Sequence, residues 1–514
     1  MDKYNFNVCF VCMGAENLGI EWISAYLKQR GINTTLVFDP VLFEDQNSID
    51  WPLLSRIFSI TDDIAEEVVS KKPDMVGISS MSTNYKWALR VARKIKEINN
   101  KIPIVFGGIH PSIVPEVVIK EDCVDYVIQG EGEYSLFHLI KVILNGEEVR
   151  GISGIFAKSA NGEIVRGLPP VLIEDINELP FPDKSLFVDY LSIQNGTYRT
   201  MCSRGCAFRC TYCCHDYLKK LYTGRYVRQR TVDNVISELL YAKKHYNPKS
   251  IHFNDDIFTY NRQWTLNFLK EYRRLINLPY LIITHPAFIN EEIAIHLKNS
   301  GCYRIKLGIQ SLNNKTKIEI LRRNETNDIV ERCFDILDRN KVPYSADHIL
   351  GLPNETLDDL ENAATFYMNH KYLNMINSYW LTYFPKTSII DIADRYNTLP
   401  ASKEDIELRG ERGEIKTYLS GGGIEDLSRK KIYEKYEILF ASIGALPKGL
   451  VRRLWTQYNR VFDFLPYNIR IVLFLISIFK FRDRAWFTYI KDYTRNSALV
   501  MKGKLKKLLN LLSK

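Results

Sequence analysis

The stretch SRGCAFRCTYC, residues 203–213, sets Cys206, Cys210 and Cys213 at a three-then-two spacing directly after the β-rich run Tyr198–Cys202. Five more short apolar runs follow: Ser250–Phe253, Leu281–Thr284, Arg304–Ile309, Tyr344–Leu350 and Ser378–Tyr383. Helical spacing recurs between them, near residues 232–245, 262–276, 290–299, 326–340 and 356–369. Strict alternation of strand and helix predicts a partial (βα)6 TIM-like barrel over residues 196–398, with its working site at the strand C-termini. The cysteine loop is therefore expected at the working end of the first barrel strand.

Upstream, residues 1–150 alternate β-branched runs (Val8–Val11, Thr35–Phe38, Met75–Ile78, Ile102–Phe106, Tyr126–Ile128) with amphipathic segments such as Tyr85–Ile98. This order predicts an α/β unit, a doubly wound parallel sheet of Rossmann-like type, whose ligand lies outside the strand carboxyl ends. The loops at that edge are MGAENLG (13–19), SMST (80–83), GGIHP (107–111) and GEGE (130–133). Glycine at a strand end lets a bulky ligand approach the backbone, although tight strand-to-helix turns would also use it. Residues 151–195, with LPP at 168–170 and LPFPD at 179–183, read as a linker segment of turns and short strands. Residues 399–514 read as a mainly helical C-terminal region containing GGG at 421–423 and a basic, amphipathic tail, Lys502–Lys514.

At roughly 150 residues per domain, 514 residues allow about three domains, and 46% hydrophobic with 25% charged residues is an ordinary globular composition. The net charge of +9 is concentrated at one end, with nine Lys and Arg against two Asp after Phe481, so it does not indicate a nucleic-acid partner. That end reads as a solvated final helix or as an attachment to an anionic membrane surface or acidic partner. The longest apolar run, Ile471–Phe479, is too short to span a bilayer, which takes roughly 20 residues. Without a secretory leader, and with five of the ten cysteines between Cys202 and Cys214, the chain is expected in a reducing cytoplasm with thiols serving as metal ligands.

Three thiolates in one short loop can hold three irons of a cubane cluster and leave the fourth iron open. A closed zinc site would need a fourth ligand, for which Cys202 or Cys214 is the nearest thiol.

On the first loop of a partial barrel, this Cys-x-x-x-Cys-x-aromatic-Cys pattern, with Tyr212 as the aromatic residue, resembles the radical S-adenosylmethionine enzymes. The resemblance implies a 4Fe-4S cluster on Cys206, Cys210 and Cys213, with S-adenosylmethionine on the fourth iron. It also implies a flavodoxin- or ferredoxin-type electron donor, whose electron cleaves the sulfonium to a 5′-deoxyadenosyl radical. Phe253-Asn254-Asp255-Asp256 resembles the stretch that holds the ammonium group, and Gly308-Ile309-Gln310-Ser311 the stretch facing the ribose, with Gln310 where Glu is frequent. Residues 347–356, DHILGLPNET, resemble the loop packed on adenine. Residues 383–387, YFPKT, resemble a Pro-Gly-Thr turn with Lys386 in place of glycine.

The first domain resembles the cobalamin-binding domain fused ahead of such barrels. The resemblance rests on Pro73–Ser79, Gly107-Gly108-Ile109-His110-Pro111 and Gly130-Glu131-Gly132-Glu133, and implies cofactor contacts at these loops and at Ser80. In the first loop Gly14, Glu16 and Gly19 correspond to a pattern in which histidine ligates cobalt. Glu16 stands at the histidine place and Gly19 is kept. A carboxylate replaces imidazole poorly on cobalt, so cobalamin is expected with its own base displaced and no histidine ligand from this loop. His110 is the residual ligand candidate, with a hydrogen-bonding or turn role favoured; a vestigial sheet without cofactor is the alternative. The resemblance implies methyl transfer from S-adenosylmethionine through cobalt to an unactivated carbon of a small-molecule or lipid substrate. The alternatives are a cobalamin-dependent radical rearrangement, cyclisation or oxidation, and a non-enzymatic metal or redox module.

Overall fold

The computed structural model describes residues 4–42, 44–45, 49–50, 52–159, 161–415 and 427–512. The GGG run at 421–423 lies outside the described residues.

The first domain is built on β1 (Asn7–Met13), β2 (Asn33–Asp39), β3 (Met75–Ser79), β4 (Ile104–Gly107) and β5 (Tyr126–Ile128), parallel in the order β2-β1-β3-β4-β5. Alternation along β1 sends Cys9 and Val11 to one face and Val8, Phe10 and Cys12 to the other, all of them buried. One face packs on Thr61–Ser70 and Tyr85–Ile98, the other on α1 (Leu18–Gln29) and α2 (Gly132–Leu144), the doubly wound arrangement expected. Two antiparallel strands, Ile155–Lys158 and Ile164–Arg166, extend this sheet from the segment after residue 150.

The second sheet consists of β6 (Thr197–Thr200), β7 (Ser250–Phe253), β8 (Tyr280–Thr284), β9 (Cys302–Gln310), β10 (Tyr344–Leu350) and β11 (Leu373–Trp380). All six run parallel in chain order and the first does not pair with the last, so the barrel is open. On β9, Ile305, Leu307 and Ile309 bury against the surrounding helices, while Arg304, Lys306, Gly308 and Gln310 alternate to the lumen. The sixth strand begins at Leu373, five residues before the predicted Ser378. Asn374 and Asn377 break its apolar pattern, yet both are accommodated: Asn374 is buried and Asn377 donates to Asp347 Oδ1 at 2.7 Å.

The C-terminal region is helical. α3 (Leu427–Ala445) packs on β11, and α4 (Ile469–Phe481) packs on α3. The last helix, α5 (Arg484–Leu512), is no freely solvated tail over its first part, because it is strapped across the other domains. Asp492 accepts from Ser192 N (2.8 Å), Arg495 donates to Asp189 O (2.6 Å), and Lys504 donates to Ser59 O (2.7 Å).

Candidate functional site

The carboxyl ends of the two sheets face one another across a cavity of about 360 Å³. The first domain contributes Gly19, Gly77, Ser79, Gly107, Gly108, Gly130 and Glu131; the barrel contributes Met201, Ser203, Arg204, Asn254 and Asp256. Phe10, Ile20, Ile23, Val105, Ile128 and Leu136 make its deep end apolar. Glycine is required at Gly108, whose φ is +97° and where a Cβ would lie 2.7 Å from Ser80 O. At Gly107 a Cβ would meet nothing within 4 Å, so this residue leaves open space.

Glu131 joins the two domains across this cavity. It accepts from Arg228 Nη1 at 2.8 Å and Nη2 at 2.9 Å, from Arg204 at 3.2 Å and from Ile173 N at 2.8 Å. Burial alone would raise its pKa, but the Arg228 hydrogen bonds and the two guanidinium charges outweigh that and hold it below the usual carboxylate range. Glu133 adds a 2.6 Å bond to Arg204.

The cysteine loop leaves the barrel through Ser203–Arg204, which pair with Arg228–Gln229. Gly205, at φ +85°, passes where a Cβ would meet Tyr226 O at 2.4 Å. The Lys219 ammonium donates to Ala207 O (2.7 Å) and Phe208 O (2.9 Å), closing the loop. Cys206, Cys210 and Cys213 all lie on this one loop, Cys210 buried and the other two half-buried. Burial, then the Asp256 charge and to a smaller extent the other two thiols, push the Cys206 thiol up to about 12, a cost that coordination to iron would offset. Cys202 is fully buried in the barrel core and is in none of the groups of mutually close ligand atoms among the described residues. Cys213, Cys214 and His215 offer ligand atoms within 4.8 Å of one another. Both His215 nitrogens are engaged, however: Nδ1 with the Tyr226 hydroxyl (2.8 Å) and Nε2 with Asp256 Oδ2 (3.1 Å).

The Asn254-Asp255-Asp256 triplet divides its labour. Asp255 is consumed by the loop, accepting from Cys202 N (3.0 Å) and Ser203 Oγ (2.5 Å); burial raises it to about 6 against those bonds. Asp256 lines the cavity and is oriented by His215, while Asn254 Oδ1 is buried without a partner. An orphaned acceptor beside the cysteine loop fits an ammonium donor.

Tyr212 and Gln310 line a second space of about 330 Å³ inside the barrel, with Ile349, Trp380 and Phe384. The Tyr212 hydroxyl accepts from Arg323 (3.3 Å), which also donates to Gly308 O (2.6 Å). Gln310 is held at φ +66°, an uncommon conformation for a residue other than glycine. Ser311 is buried and accepts from Asn313 N (3.2 Å); it is not among the residues lining this space.

Gly14, Glu16, Ser80 and His110 are not among the residues lining the main cavity. Gly14 and Glu16 border a separate space of about 40 Å³ under α5. Glu16 pairs with the fully buried Lys184, which also binds Glu21 at 2.6 Å. Ser80 closes the Gly107 turn through its backbone, and its buried hydroxyl has no partner. His110 is buried between Ser82 Oγ (2.9 Å) and the Tyr85 ring (centroids 4.2 Å apart), and burial lowers it to about 4. Its Nε2 is buried without a partner.

Spacing did not single out the polar barrel floor. Lys306 lies 3.3 Å from Asp347 and donates to the Tyr379 hydroxyl at 3.2 Å. Burial would depress Lys306, but Asp347 and Tyr379 outweigh it and raise its pKa. Both His252 nitrogens are buried without partners. Burial, with the charges of Arg199, Arg304 and Lys306, holds that imidazole well below its usual range.

Residues 14–140 match the B12 binding domain family, and residues 200–367 match the Radical SAM superfamily. An uncharacterised methyltransferase of Pyrococcus horikoshii is 29% identical over 311 residues, covering 59% of this chain and 66% of that protein. Anaerobic magnesium-protoporphyrin IX monomethyl ester cyclase of Rubrivivax gelatinosus is 25% identical over 418 residues, 76% of this chain and 70% of that one. The first of these relatives is thus matched over just under two thirds of its length. The fold matches the solved cobalamin-dependent S-adenosylmethionine radical enzyme OxsB with a TM-score of 0.62 at 16% identity, over 99% of this chain and 80% of that one.

Proposed function

The chain belongs to the radical S-adenosylmethionine enzymes that carry a B12-binding domain, and from that premise we propose that it methylates an unactivated carbon of a small-molecule or lipid substrate. The observation that carries this reading is the shared cavity, where the glycine-lined edge of the first sheet and the Asn254–Asp256 edge of the barrel enclose one space. A relay between two reactive centres needs such a space, because both must reach the same carbon. The non-enzymatic alternative is set aside by the radical S-adenosylmethionine domain.

When bound, cobalamin supplies a methyl-transfer centre, and the cluster with S-adenosylmethionine supplies a hydrogen-abstracting radical. Cys206, Cys210 and Cys213 would hold the cluster. Gly107 would leave the cobalamin room, and Gly19, at the start of α1, with Gly77, Gly108 and Gly130 would line the same space. Asn254 Oδ1 would accept from the ammonium group, and Gln310 would hydrogen-bond the ribose. Glu131 fixes the spacing of the two domains through Arg204 and Arg228, and Lys306, Asp347 and Tyr379 form a polar floor for the substrate. A flavodoxin- or ferredoxin-type protein is the proposed electron donor.

The cyclase relative favours a second reading, radical cyclisation or oxidation without methyl transfer. Anaerobic incubation of the reconstituted chain with cobalamin, S-adenosylmethionine and a reductant, quantifying both nucleosides, separates the two. Methylation gives S-adenosylhomocysteine and 5′-deoxyadenosine together. Deoxyadenosine alone supports the second reading, and the absence of both overturns each.

A further inference from the structure

We propose that the outer face of α4, together with Phe464, docks on an anionic lipid surface. α4 buries Leu473, Ser477 and Ile478 against the body of the protein, yet its opposite side is also apolar. Val472 (50% exposed), Leu475 (37%), Ile476 (39%) and Phe479 (63%) recur at i, i+3, i+4 and i+7, one continuous stripe of helix surface. Phe464, in the short helix Val461–Phe464 just before α4, is 84% exposed. A soluble protein rarely leaves a contiguous stripe of this kind uncovered without a use for it.

Charge identifies the occupant. From residue 446 to the end there are fifteen Lys and Arg against three Asp, a net +12, larger than the +9 of the whole chain, so the preceding residues are net negative. All three carboxylates are committed: Asp463 to Lys435 (2.7 Å), Asp483 to Arg304, and Asp492 to Ser192 N (2.8 Å). Lys480 and Arg482, both exposed, follow Phe479 at the C-terminal end of the stripe. An apolar stripe bordered by cations is the composition of a helix lying in a membrane interface, its apolar face among acyl chains and its cations on headgroups. A second copy of the chain would instead set two strongly positive regions against each other.

The surface lies on the membrane and does not cross it. With 13 residues α4 is about 20 Å long, short of the ~30 Å hydrocarbon core, and no helix among the described residues is long and apolar enough to span one. It is also a different surface from the predicted basic tail, whose helix is strapped to the protein as far as Lys504.

Flotation of the full reconstituted chain on phosphatidylcholine vesicles, with or without phosphatidylglycerol, tests this. The chain should float with the anionic vesicles and be released by high salt. Phe464→Glu/Phe479→Glu should reduce flotation at least about tenfold, and Lys480→Glu/Arg482→Glu by a similar factor at low salt. Phe464 and Phe479 are exposed, so far-UV circular dichroism and iron content of Phe464→Glu/Phe479→Glu should stay unchanged; Lys480 also donates to Gly444 O (3.5 Å) and Ala445 O (3.3 Å), so the charge variant is read only where its circular dichroism matches wild type. The proposal is overturned if the wild-type chain stays at the bottom of the gradient or if Phe464→Glu/Phe479→Glu floats as well as wild type. A vesicle-free dimer that Phe479→Glu splits would also overturn it, by assigning the stripe to a second copy. Nucleoside formation without vesicles is a separate readout, so loss of flotation leaves the reading of the cofactor cavity standing.

Discussion

The two parallel sheets obey one winding rule but end their strands differently. Where β4 and β5 stop, the chain runs into Gly107, Gly108 and Gly130, and the space beyond them is bounded by backbone. Where β7, β9 and β10 stop or face the lumen, it presents Asn254, Asp256, Lys306, Gln310 and Asp347. A backbone-walled edge admits something bulky and mostly apolar at its deep end; an edge of side chains grips something small and polar.

The largest expected effect falls on the barrel edge alone. Replacing Cys206, Cys210 and Cys213 with Ala should abolish cluster absorbance and iron content after anaerobic reconstitution, while cobalamin retention by the first domain stays near wild type. Iron retained in the triple variant would break the assignment of these ligands. The mirror-image variant is Gly107→Leu. Its Cβ meets nothing within 4 Å, so the added side chain enters the cavity without backbone strain. Overpacking of about 1–3 kcal/mol corresponds to a roughly 5- to 150-fold loss of cobalamin affinity, with the iron content intact. Equal cobalamin binding would show that the glycine edge is only a set of turns.

A third variant acts on the staple between the edges. Glu131→Gln leaves Arg228, 5% exposed, with a neutral partner and should destabilise the chain by about 3 kcal/mol, read from the urea midpoint. The folded-state pKa of Glu131 is depressed, so its contribution is fully present above the unfolded carboxylate value and is lost as pH falls through the folded one. The acid side of the stability profile should therefore be shallower in Glu131→Gln than in wild type. Parallel profiles would show that the carboxylate does not hold the domains together.

Sequence periodicity carried the frame because each element repeats one local rule. The bounds of Ser250–Phe253, Tyr344–Leu350 and Tyr85–Ile98 coincide with those read from apolar spacing. What spacing could not carry are choices made between distant residues. Asp255 sits in a stretch that resembles an ammonium-binding one, yet its oxygens are used 53 residues back in the chain, on Cys202 N. Glu131 looks like a loop carboxylate until Arg228, 97 residues on, closes on it. Glu16 occupies the histidine place of the first loop, but Lys184 turns it away from the cavity. Lys306 joins Asp347 and Tyr379 from three strands, and Asn377, which interrupts the apolar run of β11, is satisfied across strands by Asp347 rather than along its own strand.

The smallest expected effect concerns Gln310, the residue at which the barrel edge departs from the resemblance by one charge. Its side chain can donate or accept but carries no charge, so a bond to a ribose hydroxyl is worth about 0.5–1.5 kcal/mol. Gln310→Ala should weaken S-adenosylmethionine binding about 3- to 10-fold, measured by equilibrium dialysis on the iron-loaded chain. The left-handed φ of +66° is as unfavourable for Ala as for Gln, so backbone relief cannot mimic the loss. Gln310→Glu should bind at least as tightly as wild type, since bonds to a carboxylate are worth about 1.5–3 kcal/mol. If Gln310→Ala binds like wild type, the fourth-strand contact does not reach the ribose, and the polar grip of the barrel edge rests on Asn254 and Asp256.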